Sequence, residues 1–168
     1  ETDEALRLAA QDGETKKVEQ LLDRGAKIEA PDNRGNTPLH FAVSSDQQET
    51  AALLLDRGAE LEARDFYGGT PLAIAAWNGP PGMVAMLLDR GAKLEAKAAD
   101  GKSPLMYAGL RGNTETTKLL LDHGAEVDAS DNSGQTALLL AAKEGHIEAA
   151  QLIIDHNAAL DASDVQGQ

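Results

Sequence analysis

Apolar residues fall in short helical patches separated by polar, glycine-containing turns. In the middle of the chain Leu72, Ala75 and Ala76 stand at i, i+3 and i+4, and Val84, Leu87 and Leu88 repeat that spacing, which predicts two short helices with one apolar face each. Asp65-Phe66-Tyr67-Gly68 precedes them, with Asp at the first and Gly at the fourth position of a turn. Thr70 can cap the first helix and Pro71 fits its first position, where no amide donor is needed. Asn78-Gly79 breaks that helix, Pro80 and Pro81 begin the next, and Gly91 ends it in the left-handed conformation. Residues 64–96 therefore read as turn, helix, reverse, helix, loop.

The same plan recurs without a gap. Thr37-Pro38-Leu39, Thr70-Pro71-Leu72, Ser103-Pro104-Leu105 and Thr136-Ala137-Leu138 are each 33 residues apart, as are Gly25-Ala26, Gly58-Ala59, Gly91-Ala92, Gly124-Ala125 and Asn157-Ala158. A fixed period in this range marks stacked supersecondary units. The motif D-x-x-G-x-T-P-L-H-x-A-A, followed by G-H and L-L-x-x-G-A, resembles the ankyrin repeat, and Thr37-Pro38-Leu39-His40-Phe41-Ala42 carries its core. The resemblance spans essentially the whole chain. It implies an all-α ankyrin-repeat solenoid of stacked helix-turn-helix units with short hairpin loops.

One array is expected, with repeats at about 1–30, 31–63, 64–96, 97–129 and 130–162. Residues 163–168 open a sixth turn, which reads as part of a longer array. The first repeat lacks the Thr-Pro start and presents Glu4, Arg7 and Gln11 on its open side, as an N-terminal cap would. In the second repeat Asp46 replaces the usual Gly and reads as a cap for the outer helix. In the fourth, Ala98 replaces the turn Asp and Gly109 replaces an Ala, so its inner helix is expected to be the least stable. Asn157 replaces Gly in the fifth, where Asn tolerates the left-handed position.

Composition narrows the function. A net charge of −13 argues against nucleic-acid binding and against anionic membranes. No run of about 18 apolar residues is present, so no membrane insertion is expected. Without cysteine there are no disulfides, thiol nucleophiles or Cys-containing zinc sites. His123 and His156 occupy equivalent places in successive repeats, and helices stacked about 8–10 Å apart hold them too far apart to share a metal. Asp23, Asp56, Asp89, Asp122 and Asp155 form one acidic column; Glu29, Glu62, Glu95, Asp128 and Asp161 form another, where the family often has Asn. Identical carboxylates in every unit read as a solvated flank, because catalysis needs one unlike, converging set. No phosphate-cradling loop appears, and no catalytic residue, metal or cofactor is expected.

In the ankyrin family partners usually meet the hairpin tips and the exposed side of the inner helices. The matching positions here vary most from repeat to repeat. They carry six basic residues (Arg34, Arg64, Lys97, Lys102, Arg111, Lys143) against two acidic ones (Asp100, Glu144), reversing the sign of the whole chain. Phe66, Tyr67 and Trp77, three of the five aromatics, fall among them. The expected partner-binding set is Arg64, Phe66, Tyr67, Trp77, Asn78, Lys97, Lys102, Leu110 and Arg111, of residue types common at binding hot spots. Phe41 and Tyr107 match Leu8, Ile74 and Leu140 and are assigned to the core.

The expected function is non-catalytic binding, as a monomer, of a protein or peptide with apolar and acidic side chains through the concave face, made of the hairpin tips and inner helices and centred on the third repeat. The competing reading of the aromatics is packing between hairpins. Alternatives for the chain are a regulatory or targeting segment of a larger enzyme or channel, an engineered binder on the same scaffold, and a structural spacer. The family resemblance implies an intracellular setting, the cytoplasm or nucleus.

Overall fold

The computed structural model describes residues 1–156; the expectations for Asn157, Asp161 and the sixth turn lie outside them. Among the described residues ten helices follow one another: α1 (Thr2–Asp12), α2 (Thr15–Asp23), α3 (Pro38–Ser44), α4 (Gln48–Asp56), α5 (Pro71–Asn78), α6 (Pro81–Asp89), α7 (Pro104–Arg111), α8 (Thr114–Asp122), α9 (Ala137–Lys143) and α10 (Ile147–Asp155). Odd and even helices pair into hairpins. The odd helices stack on one another as an inner row and the even ones as an outer row. Ser130 and Thr136 make the one isolated β-bridge among the described residues.

Local chemistry sets the helix starts. Thr70, Ser103 and Thr136 accept hydrogen bonds from Ala73, Met106 and Leu139 N–H at 3.2, 3.4 and 3.3 Å, and Pro follows Thr70 and Ser103. At α3 the cap is Thr37 with His40. The His40 Nδ1 accepts the Thr37 N–H at 3.0 Å, and its Nε2 lies 3.2 Å from the Gly69 carbonyl of the next repeat. This pairing fits a neutral ring that donates from Nε2, and burial pulls its pKa below the ordinary histidine value.

The core is a ladder of equivalent positions. Ala9, Ala42, Ala75, Ala108 and Ala141 form a column of fully buried small residues between inner helices. Leu6, Leu39, Leu72 and Leu105 run beside it, and Leu54, Leu87, Leu120 and Ile153 do the same between the rows. Gly109 belongs to this packing: a Cβ there would lie 3.1 Å from the Ala137 carbonyl oxygen at the start of α9. The glycine that weakens α7 by propensity is thus also what fits it against α9.

The reading of Asp46 as a cap for the outer helix is corrected. Gln47 precedes α4, and Asp46 has a φ of 54°, the left-handed conformation that Gly13, Gly79 and Gly112 adopt at the same point of other repeats. The reversal out of α3 requires that conformation, and Asp is among the few non-Gly residues that tolerate it.

The two acidic columns do structural work beyond solvation. Arg57 pairs with Asp23 and Glu19 of the preceding repeat, and Arg90 pairs with Asp56 at 2.7 Å. Glu29, Glu62 and Glu95 accept the N–H of Glu60, Lys93 and Glu126, each at 2.7 Å, so each carboxylate pins the loop of the next unit.

Candidate functional site

The hairpin tips, residues 31–36, 64–69, 97–102 and 130–135, line up beside the inner helices. Asp32, Asp65 and Asp131 each use Oδ1 to accept two N–H groups of their own tip. Main-chain bonds join neighbouring tips: Phe66 N–H to Arg34 C=O at 2.9 Å, Ala99 to Tyr67 at 2.9 Å, and Asn132 to Asp100 at 3.1 Å. Between the tips and α3, α5 and α7 lies a groove with a cavity of about 630 Å³. Its floor is Phe41, Ala73 and Ile74, and its walls include Arg34, Tyr67, Trp77, Asn78 and Tyr107.

The aromatic centre of this groove is ordered by neighbouring side chains. The Trp77 and Tyr107 rings meet edge to face, with centroids 5.9 Å apart and planes at 82°. Arg111 lies over the indole with its Cζ 4.6 Å from the ring centroid. The Tyr107 hydroxyl donates to Asp100 Oδ1 at 3.0 Å. Burial, the Asp100 charge and that hydrogen bond all push the phenol pKa up, so Tyr107 stays a donor at any ordinary pH.

The nine residues singled out by sequence do not share one role. Tyr67, Trp77 and Asn78 line the cavity, and Arg111 covers Trp77 from beside it. Phe66 is 74% exposed and lies across Gly35 of the neighbouring tip, outside the cavity wall. Leu110 is half-buried and packs against the core. Arg64 donates to the Gly68 and Lys97 carbonyls at 2.8 and 2.7 Å, and Lys97 donates to the Ser130 carbonyl at 2.9 Å. Lys102 sits between Asp100 at 3.3 Å and Asp131 at 3.1 Å, with its side chain only 18% exposed. Burial would raise the Asp131 pKa, but hydrogen bonds from the Gln135 and Ser133 amides and from Lys102 outweigh it and hold the carboxyl below its usual range. These three cations brace the tips rather than stand free.

Asn78 has a second task. Gln47, Asn113 and His146, at equivalent places before the outer helices, reach back to the Gln11 carbonyl, to the Ala76 and Trp77 carbonyls, and to the Leu110 carbonyl. Pro80 holds that place in the third repeat and has no donor. Asn78 closes the joint instead, donating to the Ser44 carbonyl at 3.0 Å.

Sequence reasoning missed Phe41 and Tyr107, which line the groove as well as packing on the core. The available signal was aromatic residues at a position where other repeats have Leu or Ile.

A family described as Ankyrin repeats (3 copies) matches residues 6–98 and, in a second overlapping match, residues 72–164. The chain belongs to the ankyrin-repeat family. Its fold is the all-α ankyrin solenoid, and ankyrin repeats are general protein-interaction modules, a family typically without catalysis. A search of curated proteins finds no significant match. No helix among the described residues is long and apolar enough to cross a membrane, and no group of three His, Asp or Glu among them could hold a metal ion.

Proposed function

We propose that this ankyrin array is a non-catalytic binding module that takes a segment of a partner protein into the groove between tips and inner helices. The observation that carries this reading is the open cavity beside an aromatic pair already fixed by Asp100 and Arg111. A site whose side chains are held before binding loses little entropy on association, and about 630 Å³ lies in the range of specific pockets. Affinity comes from covering Trp77 and Tyr67, which are 40% and 70% exposed, with Phe66 on the rim and Asn78 at the end. Arg64, Lys97 and Lys102 hold the tips in register, and the remaining cations orient an acidic partner. The module acts as a monomer, in the cytoplasm or nucleus, and leaves nucleic acid to more basic surfaces.

The test uses the chain's single tryptophan. Peptides recovered from a displayed random library are titrated while Trp77 emission is followed, and affinities are repeated on Tyr67→Ala and Trp77→Ala variants with a labelled peptide. Loss of about tenfold or more in both variants, with unchanged circular dichroism, fits truncation at a binding hot spot. Undiminished affinity in both places binding outside the groove.

A further inference from the structure

The concave cations are not equivalent. Arg64, Lys97 and Lys102 donate to carbonyls or carboxylates of the tips, and Lys143 also has a partner. Arg34 and Arg111 differ. Among the described residues neither guanidinium makes a hydrogen bond or ion pair, and Arg111 has only its stacking on Trp77. Arg34 lines the cavity from the tip at 31–36, and Arg111 stands at the end of α7, past Trp77. The two unspent guanidiniums thus flank the Trp77–Tyr107 pair. Asp65, the one carboxylate among the described residues in the cavity wall, has its Oδ1 engaged by the Tyr67 and Gly69 amides.

We infer that the occupant of the groove is a peptide segment in which one apolar side chain is bracketed by two carboxylates, one met by Arg34 and the other by Arg111. This rests on the groove reading above. The apolar side chain sits on Phe41, Ile74 and the Trp77–Tyr107 pair. Each guanidinium offers a planar fork that matches a carboxylate, and stacking on the indole already orients the one at Arg111. On a chain of net charge −13, an acidic ligand gains nothing from the surface at large. Recognition therefore depends on these two side chains.

Random linear peptides displayed on phage are selected on the immobilised chain, and the winners are synthesised with a fluorophore and titrated. Acidic residues on both sides of an apolar one are expected in the winners. Arg34→Gln and Arg111→Gln each weaken them by about tenfold, while Arg24→Gln, on the end of an outer helix, leaves affinity unchanged. The folded double variant Arg34→Glu with Arg111→Glu selects peptides with basic brackets. Winners without acidic bias, or winners unaffected by Arg34→Gln and Arg111→Gln but lost with Trp77→Ala, overturn this inference and leave the groove reading standing. Winners unaffected by Trp77→Ala and Tyr67→Ala overturn the groove reading and this inference with it.

Discussion

The turns at residues 64–69 and 97–102 stand at equivalent places in neighbouring repeats and are held by different means. In the first, Asp65 Oδ1 accepts the Tyr67 and Gly69 N–H groups at 2.9 and 2.8 Å, so the turn closes on itself. In the second, Ala98 offers no acceptor. Asp100 takes the Lys102 N–H at 2.9 Å, and the same oxygen receives the Tyr107 hydroxyl, while Lys102 reaches across to Asp131. The missing carboxylate is replaced by a network that leaves the turn and enters the groove. Both turns border the groove, but the first is closed by its own carboxylate, whereas the second depends on side chains outside it, Tyr107 of the inner helix and Asp131 of the next tip. A departure from the repeat pattern is thus where the turn and the aromatic wall of the groove become linked.

Removing the acceptors separates the two turns most sharply. Asp65→Ala is expected to cost about 2 kcal/mol, because two amides lose a charged acceptor, and it should leave Trp77 emission nearly unchanged. Asp100→Ala is expected to cost about 1 kcal/mol but to shift Trp77 emission, since Tyr107 loses its anchor. Urea unfolding and fluorescence of the two variants check both. Equal emission shifts would erase the contrast.

A smaller effect comes from acid. His40 donates to the Gly69 carbonyl at the end of the first turn, whereas Ala73 holds the equivalent position in the next repeat and makes no such bridge to the second. Burial depresses the His40 pKa below 6.5, so the folded state binds its proton more weakly than the unfolded one does. The stability it contributes is complete above pH 6.5 and declines as pH falls below that value. Asp32 and Asp131 are also depressed, but from 3.8, so their contributions persist until the pH falls below that range. Hydrogen exchange at pH 7 and pH 5, corrected for intrinsic rates, should show protection falling in residues 64–69 and holding in 97–102. His40→Gln should remove the difference.

The smallest change is expected from restoring the pattern. Ala98→Asp should add only about 0.5 kcal/mol, since Asp100 already satisfies one of the two amides that a turn carboxylate would take. A gain as large as the Asp65→Ala loss would mean that Asp100 is no substitute.

Helix positions, caps and the buried alanine column were legible because they depend on neighbours a few residues away and on a strict period. Asp46 was misread because a cap and a left-handed reversal favour the same short polar residue, and only the φ angle separates them. Counting cations identified a basic face, but not which of them remain available. That depends on carbonyls one repeat further along, as with Arg64 at Lys97 and Lys97 at Ser130. Tyr107 was assigned to the core by position alone. Its hydroxyl partner is Asp100, a substitute that matters only because Ala98 cannot play the usual part. Phe66 and Trp77 looked alike in the sequence, yet one drapes over a neighbouring tip and the other faces the groove.

One set of bonds between neighbouring tips is made by main-chain atoms alone, at Arg34, Phe66, Tyr67, Ala99, Asp100 and Asn132. Nothing in those links specifies a side chain. The edge of the array therefore behaves like a line of type, in which the frame fixes the spacing and those letters that brace no neighbour are free. Side chains there that make no bond to a neighbouring tip, such as those of Arg34 and Tyr67, can change without breaking these links. A lineage carrying this array can thus rewrite those exposed positions one at a time, while the alanine column behind them continues to hold the stack together.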